Sequence, residues 1–148
     1  MKIKSGLKIL VMGLPGSGKS TLSKKLASTI KGVWLNADRI REEFNDWDFS
    51  PEGRVRQSNR MRDLAKKFTE EKKNVIADFI CPTMITRKNF NPDYVVWMNT
   101  IQEGRFEDTN KMFEKPKNDE VDYIVHSKNA DKYLNEICEN IKKKFKLP

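Results

Sequence analysis

The stretch Gly13-Leu-Pro-Gly-Ser-Gly18-Lys19-Ser20 brings together the residue types that grip a polyphosphate. Glycines at 13, 16 and 18 let the backbone bend until successive N–H groups point inward, and a helix opening just beyond them adds the positive end of its dipole. Lys19 is spaced to reach the β- and γ-phosphates, and the Ser20 hydroxyl to sit on Mg2+. The pattern predicts a site for ATP along Gly13, Pro15, Gly16, Ser17, Gly18, Lys19, Ser20 and Thr21. It is silent about the group that receives the phosphate.

Phosphoryl transfer asks the protein for in-line positioning, for Mg2+ between the phosphates and for cations over the developing charge. Carboxylates suited to that work occur at Asp38 and Asp78; Ser20 with one or the other would hold Mg2+, directly or through water. Either aspartate could also accept the proton of the incoming hydroxyl. Arg41 follows Asp38 by about one helical turn, so both can face one pocket, and Arg54 and Arg60 could clamp an anionic acceptor. Trp47 and Phe49 either stack on a base or lie as a lid over the core. His126, Cys81, Trp34 and Trp97 read as structural or pocket-lining residues.

These residues need a frame. An apolar run, Ile9 to Met12, leads into the glycine-rich loop, and Leu22, Leu26 and Ile30 keep helical spacing after it, which is strand, phosphate loop, helix. Lys31-Gly32 ends that helix and Val33 to Asn36 is a short strand. A helical turn or two follows over 37–45. Ser50-Pro51-Glu52 opens a helix to about residue 72, because Ser can cap, Pro is preset for the first helical position and Glu suits the positive end. Asn74 to Asp78 and Tyr94 to Met98 are buried strands, residues 100–117 a polar lid-like loop or short helix, Val121 to Val125 a fifth strand, and a final helix begins at Ser127 or Asn129. Strands alternating with helices predict an α/β domain with about five parallel strands and helices on both faces. Ligands gather at the carboxyl ends of such strands, where Gly13, Asn36, Asp38, Asp78 and Cys81 all fall.

A chain of 148 residues suits one domain rather than two. The net charge of +8 raises the question of nucleic acid, but the lysines are scattered, and the densest run, Lys142 to Lys144 with Lys146, reads as the solvated end of a helix. No apolar stretch reaches membrane-spanning length, and no export signal is read, so a cytoplasmic protein with Cys81 and Cys138 reduced is expected.

Four segments in order resemble the adenylylsulfate kinase family: Gly13 to Leu22, Leu35-Asn-Ala-Asp-Arg-Ile-Arg41, Phe49-Ser-Pro-Glu-Gly-Arg54 and Phe79-Ile-Cys-Pro82, with Phe113-Glu-Lys-Pro116 resembling a later family segment. The resemblance covers residues 7 to 125. It implies the P-loop kinase fold and a reaction of ATP with adenosine 5'-phosphosulfate (APS) to give 3'-phosphoadenosine 5'-phosphosulfate and ADP. It further implies that Phe49 stacks on the acceptor adenine, that Arg41 and Arg54 hold its phosphosulfate end, that Ile80 and Cys81 line its site, and that Arg105 is the lid-base arginine. Gln57 stands where the family has an acceptor-binding Asn, Asn36 replaces the first carboxylate of an Asp-Gly-Asp segment, and Asp78 replaces a small hydroxyl residue. The lid is shortened, with only Phe106 to Met112 remaining after Arg105. Lys19 and Asp38 are the expected catalytic pair, Ser20, Asp38 and Asp78 the expected metal ligands, and a small molecule, rather than nucleic acid or membrane, the expected partner, with a homodimer as the possible assembly. A kinase for another acceptor and a non-catalytic ATP-binding module are the alternatives.

Overall fold

The computed structural model describes residues 4–104 and 107–146. Strand β1 (Lys8–Met12) is buried from Ile9 onward, as a central strand covered on both faces must be. Its side chains alternate: Ile9 and Val11 join one hydrophobic cluster, Leu10 and Met12 the other. Around it lie β2 (Val33–Asn36), β3 (Val75–Asp78), β4 (Tyr94–Met98) and β5 (Tyr123–Val125) in the order β2-β3-β1-β4-β5, every neighbouring pair parallel.

Helices cover both faces. On one, α1 (Lys19–Ile30) sets Leu22, Leu26 and Ile30 against Ile137 and Ile141 of α6 (Ala130–Lys144). On the other, α2 (Ala37–Glu43), α3 (Pro51–Glu70) and α4 (Met84–Phe90) contribute Ile40, Met61, Ala65 and Phe90. A short α5 (Glu107–Met112) follows β4. The α3 start is built as the sequence predicts, with the Ser50 hydroxyl accepting from Gly53 N at 3.1 Å and Pro51 in the first turn.

Two elements differ from expectation. Helix α4 was not legible: Ile85, its most apolar surface residue, is 80% exposed, which breaks the periodicity that would mark a buried face. Its ends are set by polar chemistry instead, a Thr83–Thr86 capping box and a left-handed Asn91 at its carboxyl end. Strand β5 begins at Tyr123, two residues late.

After β1 the chain crosses to one face through α1; after β3, β1's neighbour, it crosses to the other face through α4. Ligand crevices form where adjacent strands part in this way. In register, Val11 pairs with Asp78 and Asp78 with Asn36, so the ends of β1, β3 and β2 finish side by side.

Candidate active site

Gly13 carries φ +151°, and a Cβ there would stand 2.9 Å from the Met98 carbonyl oxygen and 3.0 Å from Ser17 Oγ, so the turn closes against β4 only with glycine. The loop is pinned at Ser17, whose carbonyl accepts from Thr100 Oγ1 at 2.7 Å. Gly18 is the N-cap of α1 and supplies no side-chain cap, which leaves the first amides of the helix facing the loop. Pro15, Gly16, Ser20 and Thr21 are exposed or half-buried along its rim. Lys19 turns inward, its Nζ donating to Leu14 O at 2.9 Å.

Beside the loop a buried carboxylate anchors a polar network. Asp78 is 2% exposed; its Oδ2 accepts from Asn36 Nδ2 at 2.9 Å and Trp34 Nε1 at 3.3 Å, and the same Asn36 amide donates to Ser20 Oγ at 3.1 Å. Burial pushes the Asp78 carboxyl above the usual carboxylate range, against the opposing pull of these donors and of the Lys19 charge. Asn36 therefore does three things at once, since its Oδ1 also accepts from Arg39 N and caps α2. Ser20 and Asp78 offer the hard oxygen donors that Mg2+ takes from proteins. Asp38 is exposed on the first turn of α2, where its charge acts on Arg41. Among the described residues no group of three or more His, Cys, Asp or Glu gathers as a metal site; one or two carboxylates beside substrate phosphates suffice for Mg2+.

The expected acceptor residues fall on α2 (Arg41), on the α2–α3 connection (Phe49), on the first turns of α3 (Arg54, Gln57) and on the turn after β3 (Ile80, Cys81). Phe49 is 53% exposed and Trp47 51%, so neither is a lid over the core. The Phe49 ring lies under Arg41, with Cζ 4.3 Å from its centroid, and near Arg54 at 5.9 Å; Arg54 Nε also donates to Phe49 O at 2.8 Å. Arg41 differs from expectation in being 5% exposed, its Nη1 shared between the carbonyls of Asp46 and Asp48. Burial draws its guanidinium below the ordinary arginine value, with Asp46 opposing. It shapes the loop that presents Phe49. Gln57 is likewise 5% exposed, and its amide spans from Ala37 O to Arg60 Nη1, so it buttresses α2 against α3. Cys81 is fully buried, its thiol pushed up to about 12 by that burial and its carbonyl accepting from Arg87 Nε, so half-buried Ile80 is the residue of this turn that reaches the surface beside it. Arg105 lies outside the described residues.

Two sets of residues escaped the sequence reading. One is the clamp on the Phe49 loop, in which Asp46 accepts from Arg56 Nε at 2.7 Å and Arg60 Nη2 at 2.9 Å while Arg56 also reaches Asp48. Those arginine hydrogen bonds, Arg56 first and Arg60 second, hold the Asp46 carboxyl well below the usual range. The loop sits so close to α3 that a Cβ at Gly53 would lie 2.2 Å from Asp48 O. Asp46→Asn keeps the shape but removes the charge; it is expected to raise the acceptor KM by about 10- to 100-fold and leave the ATP KM unchanged, as steady-state kinetics would register. The second set centres on Arg87 of α4.

The family model for adenylylsulphate kinase matches residues 5–123. Among solved structures, the chain is similar to the APS kinase of Mycobacterium tuberculosis in complex with AMPPNP and APS, at 18% identity and TM-score 0.76, covering 94% of this chain and 99% of that one. It is also similar to the shikimate kinase of Acinetobacter baumannii in complex with shikimate (20%, TM-score 0.64, 96% of each chain) and to a gluconokinase of Sinorhizobium meliloti (12%, TM-score 0.70, 96% and 95%). No curated protein matches by sequence. The solved neighbours fix the fold as that of the P-loop kinases, and the span of the family match carries the assignment further: the chain belongs to the adenylylsulphate kinase family.

Proposed function

We propose that this chain transfers the γ-phosphoryl group of ATP to the 3'-hydroxyl of adenosine 5'-phosphosulfate. The observation that carries the reading is the double engagement of Asn36, which bonds Ser20 of the phosphate loop and caps the helix that carries Asp38 and Arg41. Donor and acceptor machinery are thereby tied together at one residue.

In this reading the loop amides and Lys19 hold the β- and γ-phosphates. Phe49 offers a ring to the acceptor's adenine, Arg54 a cation to its phosphosulfate, and Ile80, backed by buried Cys81, the wall beside it. The acceptor's 3'-oxygen bonds to the γ-phosphorus as the bond from that phosphorus to the β-bridging oxygen breaks, ADP leaves, and the hydroxyl proton passes to Asp38. Ser20 and Asp78, with Asp38, would hold Mg2+, which when bound neutralises charge across the β- and γ-phosphates.

Arg54→Ala is expected to weaken acceptor binding by about 1.5 to 3 kcal/mol, the worth of a hydrogen bond to a charged group, with kcat at saturating acceptor little changed; a KM titration in each substrate checks it. Co-crystals with APS and a non-hydrolysable ATP analogue test the whole reading. Adenine density against Phe49 with the 3'-hydroxyl facing Asp38 is the expected result. Density for the nucleotide alone, with APS absent at saturating concentration, would contradict it.

A further inference from the structure

Arg87 sits on α4, outside every motif that the sequence offers, and is 5% exposed. Its guanidinium makes more backbone contacts than a helix-surface arginine has use for. Nε donates to Cys81 O at 3.0 Å, and Nη2 donates to Pro82 O at 3.2 Å and to Glu114 O. Its Cζ lies 5.4 Å from the Phe113 ring centroid. Among the described residues Nη1 has no hydrogen-bond partner, and it stands 3.7 Å from Glu120 Oε2. A buried guanidinium is costly unless several acceptors converge on it.

The acceptors come from two segments far apart in sequence. One is the turn just past Asp78, where Cys81 holds φ +48°, a left-handed conformation unusual for a residue with a side chain. The other is the strap from Phe113 to Glu120, between α5 and β5. The two segments also bond directly: Glu114 N donates to Pro82 O at 2.7 Å, and the Glu114 carboxylate accepts from Met84 N at 3.0 Å. Strain at Cys81 persists only where its surroundings over-determine the backbone, and Arg87 supplies that.

We infer that Arg87 is a positioning residue for the acceptor side of the site: it fixes the carbonyls of Cys81 and Pro82 and pins the Phe113–Glu120 strap against them, so that the wall beginning at Ile80 is held in place. The inference rests on the acceptor reading above for its kinetic consequence, though not for the latch itself. With Arg87 gone, Cys81 is free to relax and the strap to lift. The phosphate loop, on the far side of Asp78, is not touched by the guanidinium.

The test uses Arg87→Met and Arg87→Lys in the full chain. Arg87→Lys keeps the charge but lacks the planar fork, and serves if the methionine variant does not fold. Amide hydrogen exchange at Glu114 and Met84 is expected to speed up by about tenfold or more in both variants, with the amides of α1 unchanged. The APS KM is expected to rise by about tenfold or more while the Mg-ATP KM stays within about twofold. Unchanged exchange at Glu114 and Met84, or an equal rise in both KM values, would overturn the inference. If the wild-type chain phosphorylates no APS, the acceptor reading fails, and the exchange measurement alone then decides the role of Arg87.

Discussion

Lys19→Ala is expected to lower phosphoryl transfer by about 10^3-fold or more at saturating Mg-ATP, since removing one preorganised charge from a developing anion has that order of effect. Lys19 is the first residue of α1, half-buried, with Nζ held on the inner side of the loop by Leu14 O. Its charge also acts on Asp78. The core face of α1 is made by Leu22, Leu26 and Ile30, so truncating Lys19 leaves the packing alone. Melting temperature within a degree or two of wild type, together with lost transfer, is the expected pair of results. Full transfer by the variant would refute the donor site.

Asp78→Asn is the second large effect, and it separates stability from activity. Burial raises the Asp78 carboxyl above its ordinary value, so the folded chain keeps a proton that the unfolded chain releases. The stability tied to this group is fully present below the unfolded value and is lost as pH rises through the folded one. Above that raised folded value the wild-type protein without nucleotide carries a buried ionised group that the variant lacks. The carbonyl of the substituted side chain can still accept from Asn36 Nδ2 and Trp34 Nε1, both of which aim at Oδ2 of Asp78 in the wild type. The expected outcome is a gain of roughly 1 kcal/mol, about 2–4 °C in Tm, that shrinks as pH falls toward 4. Activity should fall by about 100-fold, because a carboxylate beside Ser20 has been replaced. Calorimetric melts from pH 4 to 8 alongside an assay check both halves, and equal Tm at pH 8 would remove the buried charge from the account.

The donor half was legible because it is local. Gly13, Gly18, Lys19 and Ser20 act within one turn of chain, and a local pattern needs no knowledge of the fold. The strands were legible because central parallel strands are continuous apolar runs, as Ile9 to Met12 and Tyr94 to Met98 are. The acceptor half was only partly so. Arg41 and Gln57 bond the carbonyls of Asp46, Asp48 and Ala37, and a carbonyl oxygen carries no mark in the sequence. Asp46 and Arg56 lie ten residues apart across a turn, a spacing with no helical or strand meaning. Arg87 was hidden for both reasons, being on an unread helix and bound to main chain.

The central claim is that a phosphate loop and an aromatic, cationic loop serve one transfer from ATP to the 3'-hydroxyl of adenosine 5'-phosphosulfate. Incubation of the wild-type chain with Mg2+, γ-labelled ATP and that acceptor tests it most directly. ADP and 3'-labelled product in equal amounts are the expected result. Label appearing instead on shikimate, gluconate or a 5'-hydroxyl oligonucleotide, with none on the sulfated nucleotide, would contradict it.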